Sequence, residues 1–266
     1  MHECEICEKS FVCEFDRHLH NAWTKKNRLS MIRRVLVVNS NKGGLGNSLF
    51  SALLAAKMKK MGYKTALLET SFSSVLPYYF NFKSANGLEL VANGIVPPVS
   101  KYDYPYLSPA LFMIREPNIV AWDHEATLKF IKKMIINADW GDTDIMIIDL
   151  SAEHTGLVKD LRAFFSEKMH HAVLLLDYKQ ASGKYAKAYV DHFREFITVL
   201  KVLLSPSKIK TKTKKDITGI DADISALPFF EAAYSSDPEP DKIIEGIYEL
   251  YAPVLEEVST ACLSIF

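Results

Sequence analysis

A glycine-rich segment between a strand and a helix restricts this chain more than any other feature does. Residues 41–48 read NKGGLGNS. They come one residue after the β-branched run at 34–39, and their last residue, Ser48, begins the segment 48–61, which has helical composition. Such a short β-branched run is typical of a buried parallel strand. Gly62 closes the predicted helix and residues 64–69 form a second strand, so the segment belongs to a βαβ unit with a right-handed crossover.

The rest of the chain alternates between strand-like and helix-like segments. We predict further strands at residues 111–114, 144–150, 172–177, 197–204 and 223–227. We predict further helices at residues 125–137, 156–169, 181–196 and 242–260. This alternation is typical of an α/β fold with a doubly wound, mostly parallel sheet. Residues 77–109, rich in Pro, Tyr, Asn and Ser, are predicted to form a loop-rich excursion.

Composition separates a short appendage from the main domain and excludes some partners. Residues 1–30 mix Cys, His and charged residues without a hydrophobic period, whereas residues 31–266 form the domain proper. The chain has 32 basic and 32 acidic residues, so no long-range field attracts nucleic acid or an anionic membrane. No apolar run approaches the ~20 residues of a membrane span. We therefore expect a soluble cytoplasmic protein without a membrane or nucleic-acid partner.

The glycine-rich segment carries most of the groups of a phosphate-binding P-loop. In such a loop the glycines let backbone N–H groups wrap the phosphates, a lysine reaches the β and γ oxygens, and a Ser or Thr hydroxyl ligates Mg²⁺. Ser48 is present here, but Asn47 occupies the lysine position. Asparagine donates hydrogen bonds without bringing positive charge to the transferring phosphoryl group. We therefore expect little or no ATP hydrolysis.

These residues resemble the Mrp-type proteins, cytosolic iron–sulfur carriers and scaffolds within the MinD/ParA group of P-loop ATPases. The group's deviant Walker A motif is KGGxGK[ST]; Lys42 matches its first lysine, and Asn47 departs from its second. Residues 62–71, GYKTALLETS, are similar to the family's GYKVxLLDAD segment, and residues 140–150, WGDTDIMIIDL, are similar to its WGxLDxLIIDL segment. The resemblance implies a P-loop fold of the deviant Walker A type across most of the domain.

The resemblance also implies roles for individual residues. Lys42 would reach the nucleotide of a partner subunit, Asp149 would hold Mg²⁺ through water, and Pro228 would lie beside the adenine pocket. We therefore expect ATP or ADP to bind with Mg²⁺, unless the loop persists only as fold architecture. The residues expected to bind this cofactor are Lys42, Gly43, Gly44, Leu45, Gly46, Asn47, Ser48, Glu69, Asp149 and Pro228.

Other departures from the family pattern concern catalysis and partners. Ser71 stands where the family has a second acidic residue, residues 151–153 replace its Pro-Pro-Gly turn, and its CxxC pair is missing. His154 is an acid–base candidate near the phosphates, although a loop residue without chemistry is the simpler interpretation. Because two P-loops face one another in this group, we expect a homodimer or a heterodimer with a catalytically complete relative. The client protein is not indicated.

Cysteines cluster at the start of the chain. Cys4, Cys7 and Cys13 are followed by His18 and His20. Thiolates at this spacing, with imidazoles nearby, are typical of a site for a soft or borderline metal. The spacing resembles the N-terminal CxxCx5C of the eukaryotic cytosolic branch of the family, which implies a [4Fe–4S] cluster. That branch has one further upstream cysteine, so His18, His20 or a ligand from another chain would complete the site.

Zinc is the alternative occupant of the appendage. Three Cys and one His form a closed tetrahedral zinc site, which would staple the tail. The chain would then be a non-catalytic pseudo-ATPase subunit or scaffold of a larger assembly. Unligated thiols are a third interpretation, which the clustering disfavours. A MinD- or ParA-like positioning ATPase requires hydrolysis and a membrane or DNA surface, and neither is predicted.

Two further segments have simple interpretations. The lysine tract at residues 208–215 has no interleaved aromatic residues, so a solvated loop is favoured over a phosphate or RNA contact. Tyr102, Tyr104, Tyr106 and Phe112 form an aromatic cluster in the excursion. We expect this cluster to pack against the domain rather than form an interaction patch.

Overall fold

The structure, a computed structural model, describes residues 29–80, 89–91, 94–112, 123–177, 184–207, 220–228 and 240–264. The lysine tract and all but the end of the predicted appendage lie outside these ranges. The metal-ligand candidates Cys4, Cys7, Cys13, His18 and His20 therefore remain sequence predictions.

Strands and helices alternate along the described chain. The strands are β1 (Ile32–Ser40), β2 (Thr65–Glu69), β3 (Glu89–Val91), β4 (Gly94–Val96), β5 (Tyr106–Leu107), β6 (Thr143–Leu150), β7 (Met169–Leu176), β8 (Thr198–Ser207) and β9 (Ile224–Pro228). The α-helices are α1 (Asn47–Lys60), α2 (Leu76–Phe80), α3 (His124–Asn137), α4 (Val158–Phe165), α5 (Lys184–Arg194) and α6 (Pro240–Leu263).

One parallel sheet organises the domain. Its strand order is β5-β2-β6-β1-β7-β8-β9, and all pairings described within it are parallel. The four apolar residues in the middle of β1, 35–38, are at most 3% exposed. They are β-branched or leucine because elements cover both faces of a central parallel strand. The doubly wound α/β fold predicted from the alternation is confirmed.

The sheet order determines where a ligand site can form. β1 lies at the centre, with β6 on one side and β7 on the other. The chain therefore leaves β1 at the point where the strand order reverses, and ligands of such folds bind beyond the carboxyl ends of the strands there. The predicted glycine loop follows β1 at this edge.

The excursion differs from the sequence prediction. The strand predicted at residues 111–114 is wrong, because Pro109–Phe112 forms a 3-10 helix and residues 113–122 lie outside the described part. β5 pairs with the side of β2 that faces away from β6, and the Leu67 N–H donates to the Pro105 carbonyl at 2.9 Å. Besides β5, the predicted loop region contains α2 and the antiparallel pair of β3 and β4.

The helix predicted at residues 156–169 is also shorter than expected. Residues Ala152–Leu157 and Ser166–Lys168 are 3-10 helices, and only α4 between them is α-helical. Ser166 has a φ of 52°, a left-handed conformation that ends an α-helix. The Arg162 side chain donates a hydrogen bond to the Ser166 carbonyl and stabilises the backbone where the α-helix ends.

The longest helix, α6, covers part of the sheet. Its apolar face buries Ile244, Leu255 and Val258, which are at most 1% exposed. Among the described residues, no helix combines the length and the apolar character needed to cross a membrane.

Candidate functional site

The glycine loop, residues 41–48, turns at the carboxyl end of β1 because two of its residues adopt left-handed backbone conformations. Gly44 has a φ of 78° and Gly46 has a φ of 85°. Residues with a Cβ rarely adopt these angles, so glycine is required at both positions. Leu45 between them is 5% exposed and anchors the loop in the core, while Gly43 and Gly44 face solvent.

The loop leads directly into the first turn of α1. This turn contains no acidic residue, and no side chain caps it. The first N–H groups of an α-helix have no partner within the helix, and its dipole makes this end partially positive. The end of the loop therefore suits an anion such as a phosphate.

Asn47 fills the position of the P-loop lysine and points at Asp149. Its Nδ2 donates to Asp149 Oδ1 and lies 3.2 Å from the Leu150 carbonyl and 3.4 Å from the Val38 carbonyl. Asn47 is 9% exposed and Asp149 is 1% exposed. Among the described residues, Asn47 Oδ1 and Asp149 Oδ2 are buried and have no hydrogen-bond partner.

A second buried carboxyl group belongs to the same site. Glu69, at the end of β2, is 1% exposed, and the Tyr106 hydroxyl donates to its Oε2. Burial raises the pKa of Glu69, although hydrogen bonds with Ser74, Tyr106, Ser108 and Ser48 oppose the shift.

Asp149 is perturbed more strongly than Glu69. Burial raises the pKa of Asp149 well above its ordinary value, and the nearby charge of Glu69 raises it further. Ser48 lies close enough to both carboxyl groups for its hydroxyl to lower the pKa of each. In the part of the chain that the structure describes, no basic side chain contributes to either shift. We call Glu69 and Asp149 the loop carboxyl pair.

Lys42 belongs to the loop but points away from the loop carboxyl pair. Its ammonium forms an ion pair with Asp177, just after β7. The Lys42 side chain is 48% exposed, and that of Asp177 is 14% exposed. The Asp177 N–H also donates to Asn41 Oδ1 at 3.2 Å. The lysine that matches the family's first lysine is therefore held by its own chain at the open edge of the site.

Polar side chains tie down the segment that follows Asp149. Asn39, buried at the end of β1, donates through Nδ2 to the Leu150 carbonyl at 2.7 Å and to the Ser151 carbonyl at 3.2 Å. The Ser151 N–H donates to Thr70 Oγ1 at 2.9 Å. The Ser151 hydroxyl lies 3.0 Å from His154 Nδ1. These contacts stabilise a turn that lacks the family's proline and glycine.

The structure brings together four of the predicted cofactor residues: Asn47, Ser48, Glu69 and Asp149. The remaining loop residues border them. Pro228 ends β9, which is three strands from β1 in the sheet order, or ~14 Å at the usual strand spacing. Within the described ranges, no group of three or more His, Cys, Asp or Glu side chains could hold a metal ion.

Three residues of the site were missed from the sequence. Asn39 lies near the end of β1, and Asp177 follows β7, both at the carboxyl edge of the sheet. Polar residues at the carboxyl ends of apolar strands are the sequence signal that could have identified them. Tyr106 contacts Glu69, although the sequence suggested only packing. Tyr104 and Tyr106 are fully buried, as the packing interpretation expects.

Comparison with known proteins assigns the family. Residues 31–182, more than half of the chain, match the ParA family model described as NUBPL iron-transfer P-loop NTPase. The chain belongs to this family. The resemblance to the MinD/ParA group inferred from the loop and strand motifs is thereby confirmed.

Curated relatives cover about half of this chain. An iron–sulfur cluster carrier protein of Aquifex aeolicus is 26% identical over 126 residues, 47% of this chain and 34% of the relative. The cytosolic Fe-S cluster assembly factor CFD1 of Kluyveromyces lactis is 29% identical over 142 residues, 50% of each chain. The cytosolic Fe-S cluster assembly factor NUBP2 of Gallus gallus is 26% identical over 146 residues, 53% of this chain and 54% of the relative. The alignments thus span between a third and about half of these relatives.

Solved structures share the fold of this family member. A nucleotide-binding protein of Archaeoglobus fulgidus in complex with ADP has 18% identity and a TM-score of 0.59, over 86% of this chain and 92% of that chain. Apo McdA of Cyanthece has 14% identity and a TM-score of 0.50, over 87% of this chain and 99% of that chain. At these identities the likeness concerns the fold alone.

Proposed function

We propose that this chain is a nucleotide-binding carrier or assembly factor for iron–sulfur clusters that hydrolyses ATP slowly or not at all. The observation that carries the proposal is the Asn47 amide, hydrogen bonded to Asp149 within a loop that keeps a phosphate-binding backbone. A P-loop of this form retains donors for phosphate but lacks the charge that lowers the barrier of phosphoryl transfer.

Nucleotide binding is supported by the residues around the loop. The uncapped start of α1 offers N–H groups to the phosphates, and the Ser48 hydroxyl and Asp149 offer oxygen ligands suited to Mg²⁺. Mg²⁺ bound with the nucleotide would screen the phosphate charge. The ADP in the Archaeoglobus fulgidus structure supports ATP or ADP as the ligand.

Slow hydrolysis is supported by the groups around the expected γ-phosphate. Asn47 carries no charge, and the Ser71 hydroxyl, which donates to the Ser73 carbonyl at 2.7 Å, replaces an acidic side chain. A serine hydroxyl is a poor base for the attacking water. Bound nucleotide would therefore act mainly by stabilising one conformation of the chain, and hydrolysis would contribute little.

The carrier role is supported by the names of the relatives and by the cysteine appendage. Cys4, Cys7 and Cys13 offer three thiolate ligands, and His18 or His20 offers a fourth. Two relatives are named cytosolic assembly factors, which supports a cytosolic site of action. Zinc in the same ligands would instead make the chain a pseudo-ATPase scaffold.

A dimer, with itself or with a complete relative, is supported by Lys42. Its side chain is half exposed at the open edge of the site, and a half-exposed lysine gains little stability from an ion pair. Exchanging Asp177 for a phosphate of a partner's nucleotide would therefore cost little free energy.

Metal analysis tests the carrier role. The full chain is purified without oxygen and examined by elemental analysis and ultraviolet–visible absorption, beside a Cys4→Ala/Cys7→Ala variant. Iron and sulfide with a broad absorbance that disappears in the variant support the cluster carrier. Stoichiometric zinc without colour overturns the carrier and favours the scaffold.

Nucleotide titration tests the loop. We expect ADP and ATP to bind in the presence of Mg²⁺ and expect Ser48→Ala to weaken binding, because it removes an oxygen ligand. Asn47→Lys should raise the ATPase rate if the rest of the site is intact. An absence of ADP binding by the wild-type chain would contradict nucleotide binding.

A further inference from the structure

The loop carboxyl pair lacks a counter-charge. Glu69 and Asp149 are each 1% exposed, and the charge of Glu69 raises the pKa of Asp149 beyond the effect of burial. Within the described residues, hydroxyl groups influence both carboxyl groups, and the Asn47 amide and the charge of Glu69 also influence Asp149. The loop's own lysine, Lys42, is paired with Asp177 instead. Burying two carboxyl groups side by side is unfavourable unless a proton or a cation accompanies them.

Two buried oxygen atoms at this site, one of them in the loop carboxyl pair, have no hydrogen-bond partner among the described residues. They are Asn47 Oδ1 and Asp149 Oδ2. The Asn47 amide nitrogen already contacts Asp149, so Oδ1, on the same amide group, lies beside the Asp149 carboxyl group. Buried oxygens of this kind normally have a donor or a metal ion as a partner.

The asparagine changes the kind of ligand that this position accepts. A lysine here would place an ammonium against the two carboxyl groups and would repel another cation. Asparagine removes that charge and adds an amide oxygen, which is a good ligand for hard cations. Replacing the P-loop lysine with Asn47 therefore removes a catalytic ammonium and adds an oxygen atom that can bind a cation.

We propose that Asn47 Oδ1 and Asp149 Oδ2 bind a divalent cation of the Mg²⁺ type in the absence of nucleotide. Ser48 supplies a nearby hydroxyl oxygen, and water completes the coordination. Mg²⁺ suits this arrangement because it commonly binds proteins through one or two carboxylates and keeps several water ligands. The inference deepens the proposed function of the loop and rests on the loop being a ligand site, not on cluster transfer.

The test is a titration of nucleotide-free full-length protein with Mn²⁺, which replaces Mg²⁺ in oxygen sites and has a paramagnetic signal. After removal of metals with a chelator, free Mn²⁺ is measured by electron paramagnetic resonance. We expect about one bound Mn²⁺ per chain that Mg²⁺ displaces, with affinity reduced about tenfold or more in Asn47→Ala through loss of one ligand. Asn47→Lys should abolish this binding, and Asn47→Asp should strengthen it.

Asn137→Lys is the matched control, since Asn137 lies on α3 and its side chain donates to the Lys133 carbonyl of the same helix at 2.9 Å. It adds the same charge away from the loop and should leave Mn²⁺ binding unchanged. Thermal unfolding in chelator shows which variants are folded, and Asn47→Ala carries the test if Asn47→Lys does not fold.

Two results would overturn the inference. One is a wild-type chain that binds no Mn²⁺, because protons then neutralise the loop carboxyl pair. The other is equal Mn²⁺ affinity in the wild type and both Asn47→Ala and Asn47→Lys, because the ion then lies elsewhere. Mn²⁺ binding at the loop without any ADP binding would support this inference and contradict the proposed nucleotide binding. ADP binding without Mn²⁺ binding to the nucleotide-free chain would contradict this inference and leave the proposed nucleotide binding intact.

Discussion

Two charge clusters at different parts of the sheet, each with a buried charged side chain, are built in opposite ways. On β8, Lys201 is 4% exposed, and its ammonium lies 2.8 Å from Asp223 Oδ2 and 2.7 Å from Glu257 Oε2. Burial alone would lower the pKa of Lys201, but its hydrogen bonds with Asp223 and Glu257 raise it. We call these three residues the β8 ion triad. The side chains of Asp223 and Glu257 are about half exposed, whereas both carboxyl groups of the loop carboxyl pair are buried and have no basic partner among the described residues.

The difference separates a structural cluster from a ligand site. In the β8 ion triad each charge has an opposite charge within hydrogen-bond distance, and Ser225 also donates to Glu257 at 2.8 Å. Such a cluster is complete and needs no ligand. The loop carboxyl pair is incomplete, and incomplete buried polar groups cluster at functional sites.

Removing both anions of the β8 ion triad should have the largest effect on stability. Asp223→Asn with Glu257→Gln leaves Lys201 buried without a counter-charge. Because both carboxylates are about half exposed and screened by solvent, the free energy of unfolding should fall by about 2 kcal/mol, less than for a fully buried pair. Urea denaturation measures the change. Adding Lys201→Met should recover most of the loss, and a double variant as stable as the wild type would show that the triad contributes nothing.

Breaking the contact between Tyr106 and Glu69 should have a smaller effect. Tyr106→Phe removes a buried hydroxyl that donates to Glu69 and lies 3.1 Å from Ser74 Oγ. We expect a loss of about 1.5 kcal/mol in the free energy of unfolding, because a buried acceptor loses its donor. Tyr78→Phe, at a ring that is 66% exposed, is the matched control and should leave the urea midpoint unchanged.

Neutralising the loop carboxyl pair should act in the opposite direction. Asp149→Asn removes a buried charge without a counter-charge and keeps the shape of the side chain. In chelator at pH 8 we expect the free energy of unfolding to rise by about 1 kcal/mol. The gain should disappear in Mg²⁺, which stabilises only the wild type. Destabilisation in chelator would mean that Asp149 already has a compensating partner.

The smallest effect concerns the pH dependence of the β8 ion triad. The hydrogen bond from Lys201 lowers the pKa of Glu257 below its ordinary value of 4.5. Glu257 therefore contributes stability above pH 4.5, and this contribution is lost as the pH falls through the lowered pKa. The difference in unfolding free energy between the wild type and Glu257→Gln should shrink below that pH. A difference that stays constant from pH 7 to 3 would contradict the assignment.

Local patterns predicted most of the fold. The run at residues 34–39 lies within β1, and the segment at residues 48–61 nearly coincides with α1. β1 contains a continuous run of buried β-branched and leucine residues, and α1 has the composition of a helix, so local sequence is enough to predict both. The two-residue strand β5 and the break at Ser166 were not predicted, because they depend on pairing with β2 and on a side chain of the preceding helix.

The sequence by itself determined the loop. The glycines, Asn47 and Ser48 lie within one short segment, and their backbone conformations depend on local sterics. Only the tertiary structure decided the charge state of the site. Asn47 and Asp149 are 102 residues apart, and Glu69 and Tyr106 are 37 apart. Whether a buried carboxyl group has a counter-charge depends on which side chains the sheet brings together, because electrostatic interactions act through space and not along the chain.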